Sequence, residues 1–203
     1  MSHAFADLAF TPSVKSAQLR DGSRASYARN FEGSGEIFND RLGEAEADFI
    51  AAQRSLYLAT VSETGWPYVQ HRGGPVGFLK LLDEKTLAFA DYAGNRQLVS
   101  VGNLAVNDRV ALILVDYAQR VRLKLLGRLS QHELSPSDTL SQKLITPGYQ
   151  AHAQRAFVIS VEAFDWNCPQ HIPQRFDAED VHKALAERDA RIADLEAQLA
   201  QLA

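Results

Sequence analysis

The stretch from Trp66 to Asn107 holds the features on which the rest of the sequence depends. It runs WPYVQHRGGPVGF (66–78), TLAFAD (86–91) and YAGNRQLVSVGNLAVN (92–107). The first two runs are typical of strands, and the third predicts a polar turn followed by a helix from about Asn95 to Val106. Backbone amides at a helix N-terminus, with the guanidinium of Arg96 beside them, bind phosphate well. A sheet that folds back would bring Arg72 to the same anion, so we predict a phosphate site here.

Composition excludes several classes of protein. The chain has 203 residues, of which 46% are hydrophobic and 23% charged, as is typical of a soluble globular protein. A formal net charge of -4 argues against a nucleic-acid partner. A single cysteine, Cys168, excludes an internal disulfide and favours a reducing compartment. We found no apolar run of membrane-spanning length and no secretory signal pattern, so the expected location is cytoplasmic.

Alternating apolar residues predict about six strands, joined mainly by hairpins. The strands are expected at 56–62, 66–72 continuing through 76–82, 86–91, 109–116, 121–134 and 156–166, with a bulge at Gly127 and a short helix around 137–145. This order favours a mainly β protein with flanking helices, built on a closed antiparallel barrel.

Three segments are expected along the chain. Residues 1–43 form an N-terminal helical arm, in which Thr11 caps a helix that begins at Pro12. Residues 44–176 form the barrel domain and begin with a helix at 44–54. Residues 177–203 form a C-terminal helix, capped by Asp177. Its apolar residues recur at alternating steps of four and three, interrupted by Arg188, which indicates either packing on the barrel or a coiled coil across a dimer.

Two groups of residues, on the strand at 66–72 and around Cys168, allow more than one interpretation of their role. The strand period of two places Gln70 and Arg72 on one face and His71 on the other, unless Gly73 and Gly74 introduce a bulge. Cys168 and His171 supply only two of the three or four ligands that zinc requires, so no metal site is predicted. His171 is instead a candidate proton donor or substrate contact, and the only candidate catalytic residue.

Four motifs in order resemble the pyridoxamine 5'-phosphate oxidase superfamily, whose members are FMN-binding split β-barrels. They are Pro67-Tyr68 leading to Gln70-His71-Arg72, then LAFAD, then Gly94-Asn95-Arg96-Gln97, and then Asn107-Asp108-Arg109-Val110. The resemblance covers residues 50–176. It implies an FMN cofactor and a homodimer with the flavin at the subunit interface.

The resemblance also implies which residues bind FMN. The matching positions are Gln70, His71 and Arg72 on the first strand, Asn95, Arg96 and Gln97 in the turn, and Trp166 and Arg175 near the end of the barrel domain. Trp166 could equally be an ordinary core residue. Arg175 would contact the pyrimidine edge of the flavin.

The sequence departs from the family where true pyridoxamine 5'-phosphate oxidases bind substrate. Gln97 replaces the lysine of the phosphate turn, Gly74-Pro75 occupies the place of a substrate lysine, and the C-terminal Arg-Leu-His motif is missing. The resemblance therefore implies an FMN-dependent oxidoreductase with another substrate and a small-molecule electron donor or acceptor. The alternatives are a non-catalytic flavin-binding or electron-carrying protein, a relative that binds deazaflavin or haem, and a barrel without a cofactor.

Overall fold

The computed structural model describes residues 2–167 and 169–201, which divide into two compact units. One lies within residues 1–115 and 122–168, and the other within 116–121 and 169–203. Cys168, and Leu202 at the end of the tail's apolar pattern, lie outside the described residues. Among the described helices, none is long and apolar enough to cross a membrane.

Seven strands of the first unit form one antiparallel sheet. They are β3 (Ser55–Val61), β4 (Pro67–Gly73), β5 (Lys80–Asp83), β6 (Thr86–Tyr92), β7 (Arg109–Asp116), β8 (Val121–His132) and β9 (Ala153–Asn167). Their order across the sheet is β4-β3-β7-β8-β9-β6-β5. A mainly β, antiparallel architecture is thus confirmed.

The N-terminal arm contains three helices and a small second sheet. The parallel pair β1 (Ser2–His3) and β2 (Ile37–Phe38) flanks α1 (Ala4–Ala9), α2 (Pro12–Asp21) and α3 (Arg24–Phe31). The side chain of Thr11 accepts a hydrogen bond from the Val14 amide, and Pro12 is the first helical residue. The cap predicted for this helix is therefore confirmed.

Apolar side chains on the inner face of the sheet form the main core. Three phenylalanines lie at its centre in edge-to-face contacts, with Phe89 between Phe78 (6.1 Å between ring centroids) and Phe157 (5.4 Å). The core is completed by leucines from neighbouring strands, among them Leu56, Leu58, Leu114, Leu123 and Leu125. Helix α4 (Glu44–Ala51) adds Ile50. Burial of this apolar surface is the main source of stability in the first unit.

The bulge predicted at Gly127 is present, but its extra residue, Glu162, lies in β9. The pairing of β8 with β9 shifts register between Leu126 and Gly127. A Cβ atom at Gly127 would lie 2.4 Å from the carbonyl oxygen of Ser160, so only glycine fits at this point.

Two predicted elements differ in the structure. Residues 76–79 are not a strand, because Phe78 donates its amide to the Pro75 carbonyl in a turn that buries its ring, and β5 begins only at Lys80. The helix predicted from Asn95 begins at Val99 and ends at Leu104 (α5). Left-handed backbone at Arg96 (φ 60°) and Leu98 (φ 55°) prevents an earlier start.

The remaining helices agree with prediction within a few residues. Helix α6 (Thr139–Leu144) lies between β8 and β9. The second unit contains α7 (Ala178–Ala200). Asp177 directly precedes this helix but makes no side-chain capping bond to it, so the predicted cap is wrong.

Candidate functional site

A polar cavity of about 230 Å³ lies beside the loop that connects β6 to α5. Its walls come from β4, the end of β6, the loop and the first turn of α5. Five of the predicted cofactor residues line it together, namely Gln70, Arg72, Asn95, Arg96 and Gln97. The structure thus brings together the β4 residues and the loop residues, which are about 25 positions apart in sequence.

The strand period explains how β4 contributes to the cavity. Leu56 and Leu58 of β3 are buried, and their register partners on β4 are Arg72 and Gln70. Tyr68 belongs to the same β4 face, and its hydroxyl donates a hydrogen bond to the Gln70 side chain. No bulge at Gly73 and Gly74 reverses this face, so the simple alternation predicted for β4 is confirmed.

A buried carboxylate lies at the base of the cavity between two arginines. Arg72 Nη1 donates to Asp91 Oδ1 at 2.6 Å, and Arg155 Nε lies 3.3 Å from Asp91 Oδ2. Asp91 and Arg155 are register partners on β6 and β9. One carboxylate facing two guanidinium groups leaves a surplus of one positive charge, and that surplus favours an anionic ligand.

Burial and charge act in opposite directions on Asp91. Desolvation raises the pKa of this carboxyl above its ordinary value, and the Coulomb attraction of Arg72, then of Arg155, lowers the pKa. Burial is the larger effect, since only 5% of the Asp91 side chain is exposed. The two arginines therefore stabilise a charged carboxylate at a buried position, where an unpaired charge would be very costly in free energy.

Two buried polar groups at the cavity have no hydrogen-bond partner within the described part of the chain. They are Arg72 Nε and the hydroxyl of Ser100. Leaving a buried donor unpaired costs free energy, so such groups are expected to have a partner. Oxygen atoms of a bound anion would accept hydrogen bonds from both, and the residues present therefore fit a phosphate.

The loop presents its own donors to the same cavity. Asn95 Oδ1 accepts a hydrogen bond from the Gln97 amide at 3.1 Å, which fixes the turn. Arg96 is exposed, and no carboxylate among residues 2–167 and 169–201 pairs with it. Its guanidinium is therefore available to a ligand. The anion site stays a prediction, and the residues predicted for it lie on the loop before α5 rather than at a helix N-terminus.

Comparison with known proteins identifies the family. The sequence model of pyridoxamine 5'-phosphate oxidase matches residues 42–164, more than half of the chain. The chain belongs to the pyridoxamine 5'-phosphate oxidase family. No match was found among curated protein sequences.

Several solved structures are similar to this chain. HupZ from Group A Streptococcus has a TM-score of 0.50 and 16% sequence identity, and the alignment covers 66% of this chain and 99% of HupZ. A putative pyridoxamine 5'-phosphate oxidase from Lactobacillus delbrueckii gives 0.45 and 17%, covering 63% and 96%. An FMN-binding protein from Syntrophomonas wolfei gives 0.46 and 14%, covering 77% and 95%.

The region matched to the family contains the polar cavity. Among the lining residues that sequence patterns did not assign to the site, Tyr68, Asp91 and Ser100 contribute polar groups discussed above. In the sequence, Asp91 is distinguished only as the last residue of the LAFAD strand. Its role depends on Arg155, 64 positions later, and the sequence carries no signal for that pairing. Tyr68 was the one recoverable member, because it shares the strand face of Gln70.

His71 lies on the opposite face of β4 from the polar cavity. Its ring contacts Tyr57 edge-on, with 5.5 Å between centroids, and its neighbours on that face are apolar. The structure therefore does not bring His71 together with Gln70 and Arg72.

Trp166 lies at the edge of the core of the first unit. Its indole packs edge-on against Phe49 at 4.8 Å between centroids, and the indole N–H donates to Glu46 Oε1 at 2.7 Å. These contacts fix the position of the indole at the edge of the core.

Arg175 and His171 belong to the second unit. The guanidinium of Arg175 lies 5.0 Å from the centroid of the Tyr117 ring, and its backbone amide donates to the Tyr117 carbonyl. His171 is exposed and has left-handed backbone (φ 63°). Within the second unit, these contacts fix the loop that precedes α7.

Proposed function

We propose that this protein binds FMN and acts as a flavin-dependent oxidoreductase on a substrate other than pyridoxamine 5'-phosphate. The observation that carries the proposal is the convergence of Arg72 and Arg96 on one polar cavity with a surplus of positive charge. A phosphate monoester at neutral pH carries between one and two negative charges, and guanidinium groups bind it with strong, charge-assisted hydrogen bonds. Family membership supplies the expectation of FMN.

The residues of the cavity would have distinct tasks in holding the cofactor. Arg72 and Arg96 would bind the phosphate, and the hydroxyl of Ser100 would donate to one of its oxygens. Gln70, held by Tyr68, would orient the chain that follows the phosphate. When bound, the isoalloxazine supplies the electron transfer, and the protein supplies position and electrostatics.

Gln97 in place of a lysine reduces the positive charge at the loop by one. The site still matches the charge of the phosphate without a lysine. Arg72, Arg96 and Arg155 carry three positive charges, and Asp91 cancels only one of them. We infer that the anchorage rests on arginine.

The apolar outer face of the sheet supports the proposed homodimer. A cavity of about 250 Å³ on β3, β4, β7 and β8 has almost entirely apolar walls, formed by Ala59, Val69, Ala111, Ile113 and Leu126 among others. Val69 is 61% exposed and Tyr57 is 37% exposed. An exposed apolar patch of this kind marks a protein interface, and a second copy of the barrel is the proposed partner.

Comparing FMN with riboflavin tests the cofactor proposal. The protein is purified, any bound small molecule is released by denaturation and identified by mass, and the apoprotein is titrated with each compound by fluorescence quenching. Because the arginines would contact only the phosphate, FMN is expected to bind at least tenfold more tightly than riboflavin. Equal affinities, or no binding of either, would overturn the proposal. Recovery of a deazaflavin or haem instead would identify a different cofactor.

Steady-state reduction separates an enzyme from an electron carrier. The FMN-loaded protein is mixed anaerobically with NADH or NADPH, and bleaching of the flavin bands is followed. Reoxidation by a small acceptor with multiple turnovers supports an oxidoreductase. Reduction without turnover supports the electron-carrier alternative.

A truncation tests the proposed dimer. Removal of the chain after about residue 176 deletes α7, and the mass in solution is then measured by light scattering. The truncated protein is expected to remain dimeric, since the apolar sheet face is intact. A monomer would show that the barrel face is not a sufficient interface.

A further inference from the structure

Helix α7 has an apolar seam that is exposed along its whole length. Val181, Leu185, Ile192, Leu195 and Leu199 are each at least 42% exposed. No described residue of α7 is buried. An isolated helix in water is only marginally stable, so a helix of 23 residues is expected to gain stability by covering such a seam.

The spacing of the seam is that of a coiled coil. The intervals from Val181 to Leu199 are four, three, four, three and four residues, with Arg188 as the one charged member. This places Leu185, Ile192 and Leu199 at heptad position a, and Val181, Arg188 and Leu195 at position d. A constant 3.5-residue period keeps the stripe facing one partner helix and favours left-handed supercoiling.

We propose that α7 forms a parallel two-stranded coiled coil with α7 of a second copy of this chain. The proposal is independent of the cofactor, because it uses only residues of the second unit. The partner is a second α7, because the seam is as long as the helix and an identical seam matches it layer by layer.

Charges beside the seam determine the direction. In a parallel pair, position g of one helix faces position e of the next heptad in the other. Arg191 at g then faces Glu196 of the second copy, and symmetry gives two such ion pairs. In an antiparallel pair centred on the helix, Arg191 would face Arg191, and Asp189 would face Asp189.

Arg188 costs some stability in the parallel arrangement but fixes the register. Two Arg188 side chains would lie in one d layer, beside Asp189 of the opposite helix. A shift by one heptad would place each guanidinium against Val181 or Leu195 instead. A single polar residue in a coiled-coil seam is known to specify register in this way.

Disulfide trapping in the full-length protein tests the proposal. Cys168→Ser removes the only thiol in the chain, and Leu195→Cys then introduces one in a d layer. Two thiols at the same d layer of a parallel pair come close enough to form a disulfide. The matched control is Ala197→Cys, which is in the same turn but on the side opposite the seam. We expect a disulfide-linked dimer from Leu195→Cys under mild oxidation, in clear excess over Ala197→Cys.

A charge exchange provides a second measurement that does not depend on packing at position 195. Added to the trapping variant, Arg191→Glu places like charges opposite each other and should reduce the trapped fraction several-fold at low salt. Adding Glu196→Arg to Arg191→Glu should restore most of it, since the pair between the helices is exchanged, whereas the contact of Arg191 with Asp194 of its own helix is lost in both variants. The reduction should weaken at high salt, where exposed charges are screened.

Two results would overturn the proposal. One is equal trapping of Leu195→Cys and Ala197→Cys, which would mean that the seam faces no second helix. The other is a disulfide-linked dimer that forms only when one chain carries both Leu185→Cys and Leu195→Cys, and not with either substitution alone. That result would show an antiparallel pair.

Discussion

Arg72 and Asp91 form a buried ion pair at the base of the polar cavity. Arg72 Nη1 lies 2.6 Å from Asp91 Oδ1, and their side chains are only 19% and 5% exposed. The pair joins β4 at one edge of the sheet to β6, and Arg155 approaches the same carboxylate from β9. The polar cavity and the sheet therefore depend on the same charged residues.

Removing Arg72 is expected to destabilise the protein more than removing the whole pair. Arg72→Met leaves Asp91 buried with only Arg155 beside it, and the expected cost is about 3 kcal/mol. In a double-mutant cycle with Asp91→Asn, the two single costs should exceed the cost of the double variant by about 1 kcal/mol or more. Urea denaturation of the wild-type protein, the two single variants and the double variant measures the coupling energy. Additive costs would show that the ion pair contributes nothing to folding.

Arg96→Ala is expected to affect ligand binding and leave folding unchanged. Arg96 is exposed on the loop, so its loss should change the free energy of unfolding by no more than about 0.5 kcal/mol. Loss of a charge-assisted contact should weaken FMN binding by about 1.5–3 kcal/mol. The affinity for riboflavin should stay the same, because it lacks the phosphate. Arg20→Ala, an exposed arginine at the end of α2, is the control. An unchanged FMN dissociation constant would remove Arg96 from the site.

Sequence patterns were sufficient to predict most of the fold and five of the fourteen residues that line the cavity. Period-two alternation assigned Gln70 and Arg72 to one face, since that assignment needs only the strand itself. The bulge at Gly127 and the cap at Thr11 are likewise local, because each depends on a few neighbouring residues.

The incorrect or missing predictions depend on contacts that are distant in sequence or on unusual backbone. The pairing of Asp91 with Arg155 requires the register of β6 on β9, which no short pattern encodes. The late start of α5 arises from left-handed backbone at Arg96 and Leu98, residue types that do not signal it. The first part of the strand predicted at 76–82, residues 76–79, is instead a turn that buries the Phe78 ring, which is a tertiary effect.

Trp166→Phe distinguishes a structural tryptophan from one that covers the flavin. The substitution retains packing on Phe49 and removes the indole N–H that donates to Glu46. We expect a loss of about 1 kcal/mol in the free energy of unfolding and no change in FMN affinity. Thermal or urea denaturation gives the first quantity and flavin titration the second. Weaker FMN binding at unchanged stability would instead place Trp166 at the cofactor.

Two glycine substitutions should have opposite signs. At Gly127, a Cβ would lie 2.4 Å from the Ser160 carbonyl oxygen, so Gly127→Ala must displace backbone in the bulge. The expected cost is about 1–3 kcal/mol. At Gly102, inside α5, a Cβ would meet nothing within 4 Å. Gly102→Ala should therefore stabilise by about 0.5–1 kcal/mol, since alanine loses less backbone entropy. Equal effects at the two positions would contradict the bulge geometry.

The N-terminal arm should loosen on acidification because of His3. This residue is 3% exposed, stacks on Phe31 at 4.7 Å between centroids, and accepts the Phe5 amide at Nδ1. Burial lowers the pKa of His3 below 6.5, and the nearby charges of Asp165, Asp7 and Lys124 modify it less. A lowered pKa means that folding favours the neutral ring, so its stabilisation is complete above 6.5 and is lost as the pH falls through the folded-state pKa. The free energy of unfolding, or protease cleavage within the arm, should show this loss as the pH falls from 6.5 through the folded-state pKa of His3. His3→Gln should flatten the dependence, whereas His152→Gln, at an exposed position, should not. The same acid loss in both variants would assign the effect to other groups.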